Sequence, residues 1–229
     1  GMFYREFMAY SGKDGQNLGI VLTPRHITEL FCDLIRLKPS DRVLDPCCGT
    51  GGFLIAAMHA MLQQTDDLDL QRSIRKEQLM GIELQDYMFT IATTNMILRG
   101  DGKSNLHNFD FLAEPASKLQ KEMHCAVGMM NPPYSQGSKD YPDKYEIAFT
   151  EHLLDSLSED ARAIVIIPQS SVTGKTTIEK TIKRNILKHH TLEGVITLNT
   201  NTFYGVGTNP CIACLLYTSD AADEEDSVD

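Results

Sequence analysis

Apolar residues recur along the chain with two spacings that take turns. Short runs such as Val43-Leu44, Leu79-Met80-Gly81-Ile82, Ala126 to Met130, Ala163 to Ile167 and Val195 to Leu198 have the length and composition of strands. Between them the period lengthens to that of a helix. Ile27, Leu30, Phe31, Leu34 and Ile35 form one stripe, Tyr87, Ile91, Asn95 and Leu98 a second, and Ile147, Leu153, Leu154 and Leu157 a third. Strands and helices in alternation predict an α/β fold, a mostly parallel sheet with helices on both faces. Ala163 to Ile167 has no polar position to turn toward solvent, so it belongs at the centre of that sheet.

The punctuation agrees with this reading. Thr23 suits an N-cap and Pro24 the first helical position, so a helix starts there. Pro132-Pro133 and Pro168 lack the N–H a ladder needs and end their strands. An apolar helix starts near Phe53, charged residues 65–78 begin as a loop, Leu106 to Asp110 supplies a third strand, and Pro210 to Tyr217 a seventh.

This order places the chemistry at the C-terminal ends of strands, where an open α/β sheet binds ligands. Asp45 closes the first strand, and Pro46-Cys47-Cys48-Gly49-Thr50-Gly51-Gly52 follows it before a helix. Gly49 and Gly51 let backbone N–H groups approach a nucleotide-like ligand, and Asp45 is an acceptor for an ammonium group. The plainer reading is a tight turn. Glu83 ends the second strand, where a carboxylate can accept from ribose hydroxyls; Asp110 ends the third, where it can accept from an adenine amino group beside Phe109 or Phe111. Asn131-Pro132-Pro133-Tyr134 then offers an amide oxygen, an exposed carbonyl at Pro132 and a ring that could stack on a flat base. Each of these is alternatively an ordinary strand end with a packed aromatic beyond it.

Other features narrow the field. Gly49-Thr50-Gly51-Gly52 is neither the dinucleotide nor the P-loop fingerprint, and Gly174-Lys175-Thr176 has Gln169 where a P-loop needs its first glycine. Cys211 and Cys214 are a lone pair without further zinc ligands, so the six cysteines read as reduced, mostly buried thiols and no metal is expected. No run approaches the roughly 18 apolar residues of a membrane span, and there is no leader; a soluble, cytoplasmic protein without membrane contact is expected. The net charge of −10 argues against nucleic acid until six acids in residues 214–229 are set aside, which leaves −4. Lys180, Lys183, Arg184 and Lys188 crowd one helix, a solvated face or a nucleic-acid patch. Phe203 and Tyr204 in the 199–209 connection are suited to an aromatic wall beside the crevice, or to a plain hairpin loop.

Taken together, Gly19-Ile20-Val21-Leu22-Thr23-Pro24, Asp45-Pro46-Cys47-Cys48-Gly49-Thr50-Gly51-Gly52-Phe53, Gly81-Ile82-Glu83-Leu84, Asn108-Phe109-Asp110-Phe111 and Asn131-Pro132-Pro133-Tyr134 resemble the modification subunit of type I restriction–modification systems. These are N6-adenine DNA methyltransferases. The likeness runs from about Gly19 to Ala213, over a motif set broad enough to define the catalytic domain. It implies a Rossmann-like class I methyltransferase fold, a seven-stranded sheet with its last strand antiparallel, and S-adenosyl-L-methionine as cofactor.

The same resemblance assigns roles. Asp45, Gly49 and Gly51 surround the methionine end, with Pro46 and Gly52 also counted among the cofactor-binding residues, Glu83 takes the ribose hydroxyls, and Asp110 with Phe111 holds the cofactor adenine. Thr23 and Pro24 complete that pocket, while Asn131, Pro132, Pro133 and Tyr134 hold the flipped target adenine. The implied partners are double-stranded DNA, a specificity subunit and a restriction subunit. Asn-Pro-Pro-Tyr alone is shared with protein-glutamine and RNA methyltransferases, and a cofactor-binding module inactive without its specificity subunit is a further alternative. Two segments stand apart. Residues 1–18 form a polar extension with Tyr4, Phe7, Met8 and Tyr10 as docking contacts; Gly1 reads as a tag remnant. Residues 214–229 look like a translated sequencing adapter, a non-native tail joined to a truncated gene.

Overall fold

A computed structural model of the chain describes residues 22–100, 105–174, 176–200, 202–203 and 209–217. Seven strands form one sheet: β1 (Val43–Asp45), β2 (Leu79–Ile82), β3 (Asn105–His107), β4 (Val127–Met130), β5 (Arg162–Pro168), β6 (His190–Thr197) and β7 (Pro210–Tyr217). Their order is β3-β2-β1-β4-β5-β7-β6. The first five are mutually parallel, with Val43 level with both Leu79 and Val127, and β7 runs antiparallel to both β5 and β6. Consecutive strands build outward from β1 in one direction and from β4 in the other, so the topological switch lies between β1 and β4.

Eight α-helices are described: α1 (Arg25–Leu34), α2 (Gly52–Leu62), α3 (Leu68–Glu77), α4 (Asp86–Ile97), α5 (Ala116–Met123), α6 (Glu146–Asp155), the single turn α7 (Gln169–Thr173) and α8 (Thr177–His189). They divide into two layers because successive strand residues point to opposite faces. Val43, Met129, Ile164 and Ile166 join a core with Phe31 of α1, Leu54 and Met61 of α2, and Met96 of α4. Their neighbours Leu44, Met130, Val165 and Ile167 join the other core with Leu119 of α5, Leu153 of α6 and Ile186 of α8. Strand β5 is buried at every position after Arg162, the central placement its sequence requires. Of the expected stripes, Ile27, Phe31 and Ile35 are buried with Leu30 and Leu34 half-buried beside them, and Ile147, Leu153, Leu154 and Leu157 are buried.

Several boundaries and faces differ from expectation. Pro24 is the N-cap of α1 rather than its first residue, and Thr23 makes no cap bond. The charged segment begins as a loop, but Asp67 then accepts from the Asp69 and Leu70 N–H groups and starts α3, whose one buried side chain is Ile74. On α4 the inward face is Met88, Ala92 and Met96, whereas Tyr87 is 49% and Leu98 76% exposed, so the expected stripe is the wrong side of that helix. Strand β3 stops at His107. Phe203 is buried in the core on the α1–α2 side, not on a crevice wall, and Tyr204 lies outside the described residues. Cys214 to Tyr217 complete β7; residues 1–18 and 218–229 lie outside the described residues. No helix is long and apolar enough to cross a membrane among the described residues.

Candidate active site

The loops after β1, β2, β3 and β4 converge at the switch point, and four carboxylates brace them through backbone N–H groups. Asp45, at the end of β1, lies beneath the glycine loop with no exposure; its Oδ1 accepts from the Cys47 N–H at 3.3 Å. The loop then passes through Gly49 (φ 54°) and Gly51 (φ 82°), left-handed conformations that suit glycine and deliver the chain into α2. Glu83 ties this loop to the next strand: Oε2 accepts from the Gly49 N–H at 2.9 Å and Oε1 from the Gln85 N–H at 2.8 Å. A carboxylate has about four acceptor positions, so roughly two remain for a ligand. Asp110 caps a short 3-10 turn, Phe111–Ala113, by accepting from the Leu112 N–H at 3.0 Å.

Asn131 is the residue after β4, and the next two prolines fix the chain's exit. Its Nδ2 donates to Thr23 Oγ1 at 3.1 Å, across 108 residues of sequence. That bond orients the amide, and Asn131 Oδ1 is left sheltered from solvent without a protein donor. Asp45 Oδ2 and the Tyr134 hydroxyl are in the same condition. Buried polar atoms are normally paired, since each unpaired one costs about 1–3 kcal/mol. Asn131 and Tyr134 both line the larger of two cavities here, so two of these atoms belong to residues that border space for a ligand, while Asp45 Oδ2 lies beneath the loop.

Two adjoining cavities share Cys47, Gly49, Met88 and Asn131 as walls. The larger, about 180 Å³, is lined by Pro46, Glu83, Asp110 and Phe111 together with Asn131, Pro132, Pro133 and Tyr134. The smaller, about 50 Å³, is lined by Thr23, Gly49 and Gly52. Pro24, Asp45 and Gly51 line neither. Asp45 acts from below the loop, and Gly51 shapes it. Phe111 is 3% exposed and packs edge-on to His152 at 4.6 Å between centroids, so only part of its ring faces the cavity.

Electrostatics at the site favour a cationic ligand. Burial raises the Asp45 carboxyl well above the usual range; the Cys47 N–H opposes this and the nearby Glu83 reinforces it. Burial, with Asp45 and Glu83 alongside, also pushes the Cys47 and Cys48 thiols well up, which rules against a thiolate nucleophile in the loop. Among the described residues no three His, Cys, Asp or Glu side chains converge on a point that could hold a metal.

Comparison with known proteins joins this geometry to a family. The sequence matches the N-6 DNA Methylase family over residues 1–228. The chain belongs to that family. It is 51% identical over 213 residues to the type II restriction enzyme and methyltransferase RM.BcgI of Heyndrickxia coagulans, a match covering 93% of this chain and 33% of the relative. The methylase subunit of the type I restriction enzyme EcoKI from Escherichia coli (strain K12) is 28% identical over 214 residues, 83% of this chain and 39% of that subunit. The crystal structure of the EcoKI M protein superposes with a TM-score of 0.75 at 21% identity, covering 91% of this chain and 46% of that one. The chain thus spans a third to two fifths of the length of these curated relatives, and its seven-stranded sheet is that of the class I methyltransferases.

For an N-6 DNA methylase, the sequence reading overlooked several residues that the fold brings to the crevice. Leu84, exposed at 61%, Met88, Gln136 and Lys144 all line the larger cavity. Leu84 was legible, since it directly follows the acid that closes β2. Lys144 and Gln136 come from an irregular segment whose path no periodicity reveals. The Lys144 ammonium lies 5.4 Å from the centre of the Tyr141 ring, a cation–π contact.

Proposed function

We propose that this chain carries the catalytic domain of a DNA methyltransferase that moves a methyl group from S-adenosyl-L-methionine to the N6 amino group of adenine, within a cytoplasmic restriction–modification system. The observation that carries the proposal is the Asn131 amide: its nitrogen is held by Thr23, and its oxygen is left unpaired beside a cavity that Glu83 and Asp110 also line. The two sides of the crevice match two nucleosides. Gly49, Glu83, Asp110 and Phe111 hold the cofactor's adenosine. Thr23, Pro46, Gly49 and Gly52, with Asp45 beneath them, hold its methionine end. Asn131, Pro132, Pro133 and Tyr134 hold the target adenine, which must leave the duplex to reach them.

Bound S-adenosylmethionine supplies an electrophilic methyl group. The chain contributes position and polarity. Asn131 Oδ1 and the Pro132 carbonyl accept the two hydrogens of the target amino group, which disfavours spreading of the nitrogen lone pair into the ring and aims it across the crevice. The amino nitrogen would gain the methyl carbon as that carbon's bond to the sulfonium sulfur breaks, leaving the neutral thioether, and would give up one proton to solvent. Tyr134 stacks on the base and keeps its plane. The Tyr134 phenol stays protonated, its pKa pushed up by burial and the nearby Glu146 carboxylate, so it serves as a surface rather than a base.

Double-stranded DNA is the proposed substrate, with a specificity subunit to read its sequence and a restriction subunit in the complete system. The 51% identity to RM.BcgI favours a second arrangement for the partners, with this methylase domain as one part of a protein that also restricts. The test is methyl transfer from labelled cofactor to separate DNA, RNA and protein acceptors, with the specificity subunit added. Label is expected in DNA adenine, falling about 100-fold in Asn131→Ala, the loss typical when one transition-state hydrogen bond is removed. Label in RNA or protein, or full activity in Asn131→Ala, refutes the proposal.

A further inference from the structure

One buried acid beside the crevice has no part in the chemistry above. Glu146, the first residue of α6, is 6% exposed, and its Oε1 accepts from the Ser135 backbone N–H at 2.7 Å. Burying a carboxylate is unfavourable unless its oxygens are satisfied, and this bond is short and charge-assisted; the helix N-terminus adds to it. Ser135 directly follows Tyr134 and sits at φ 61°, a left-handed conformation that a residue with a Cβ adopts at a cost. Something must hold it there, and Glu146 is in contact.

The rest of the loop is folded to the same end. A Cβ on Gly137 would meet the Tyr145 ring at 2.5 Å and its Cα at 2.7 Å, so residues 135–145 close tightly against the residue that precedes Glu146. The prolines already fix the chain direction through Pro133. The Ser135 N–H belongs to the peptide plane that leaves Tyr134, so with Pro133 before it and Glu146 holding that plane after it, the backbone that carries the Tyr134 ring is held at both ends. The Glu146 charge is near enough to the Tyr134 hydroxyl to help raise that phenol's pKa.

We infer that Glu146 is a positioning residue for the target base, aiming the Tyr134 ring by clamping Ser135. This rests on the assignment of Tyr134 to the target adenine. It predicts that removing the acceptor weakens base stacking while leaving cofactor affinity intact, whereas a role in general folding would move both.

The probe is a single-stranded oligonucleotide with one 2-aminopurine, titrated onto protein saturated with S-adenosylhomocysteine and read by fluorescence quenching. This base can stack but lacks the amino group at C6, so it reports Tyr134 apart from Asn131. Wild type is expected to quench, and Tyr134→Ala to lose the signal. Glu146→Ala should bind the probe at least about tenfold more weakly, the scale of one hydrogen bond to a charged group. Glu146→Gln keeps an acceptor for the Ser135 N–H and should stay within about threefold of wild type. Calorimetry should give one S-adenosylhomocysteine affinity for all of them. Wild-type quenching by Glu146→Ala, no rescue by Glu146→Gln, or a parallel loss of cofactor affinity overturns the inference. Failure of wild type itself to quench while it binds cofactor overturns the target-base assignment and the inference with it.

Discussion

Replacing Asp45 by Asn keeps the side chain's shape and removes its charge, so it separates what the buried carboxyl costs from what it holds. Asp45 is wholly buried, has one N–H partner at 3.3 Å and leaves Oδ2 with none. Burial raises its pKa above the usual value. The sign follows: the folded protein keeps a proton that the unfolded chain gives up near pH 4, so stability falls as pH climbs from there toward the raised folded value. The slope approaches about 1.4 kcal/mol per pH unit for one proton and vanishes below about pH 4, where both states are protonated. Asp45→Asn abolishes this contribution, and any penalty from its own unpaired amide is independent of pH. Glu151 and Asp155 also have raised values, but they are unchanged in the variant and cancel in the comparison. Urea unfolding over a series of pH values upward from about 4 should therefore show the stability difference between variant and wild type moving in the variant's favour as pH rises, until the raised folded value is passed. An ammonium group brought above the loop favours the carboxylate, so wild type should release a proton on binding S-adenosylmethionine wherever the free carboxyl still holds one. Calorimetry in buffers of different ionisation enthalpy would detect it. Stability profiles that stay parallel at every pH above about 4 would refute the account of Asp45.

Two further substitutions probe the scaffold. Thr23→Val removes the acceptor that orients Asn131, and losing a neutral hydrogen bond of about 1 kcal/mol should lower the rate of methyl transfer roughly fivefold, well short of Asn131→Ala; an effect equal to Asn131→Ala would give Thr23 a direct role. On α4, Leu98→Lys should change stability by less than about 0.5 kcal/mol and Met96→Ala should cost about 2–5 kcal/mol in urea titrations, because Met96 is fully buried and Leu98 is 76% exposed.

The strands and the ends of the crevice were legible because their signals are local. Pro132, Pro133 and Pro168 stop strands by lacking a donor, and the glycines at 49 and 51 are where the chain enters the left-handed region. What failed was locally ambiguous. Helix α4 is apolar on more than one side, so Tyr87, Ile91 and Leu98 make as good a stripe as Met88, Ala92 and Met96, and only tertiary packing chooses between them. Helix α3 buries one residue, so no stripe announces it, although Asp67 was a readable N-cap. The bonds from Asn131 to Thr23 and from Ser135 to Glu146 join distant or irregular segments, and no spacing encodes them.

The acids around the crevice explain why such a site tolerates unpaired atoms. Asp45, Glu83, Asp110 and Glu146 each accept at least one backbone N–H from a loop bordering the ligand space. Where the acid is ionised such a bond is worth more than a neutral one, and all four acids are anchored at the ends of strands or at a helix start, so the loops are held by the frame rather than by each other. Rigid loops cannot collapse to satisfy Asn131 Oδ1 or Asp45 Oδ2. Left without an internal partner beside the cavity, Asn131 Oδ1 stays available to a donor on a ligand, and part of the binding energy at this site is relief of a cost that the folded chain already carries.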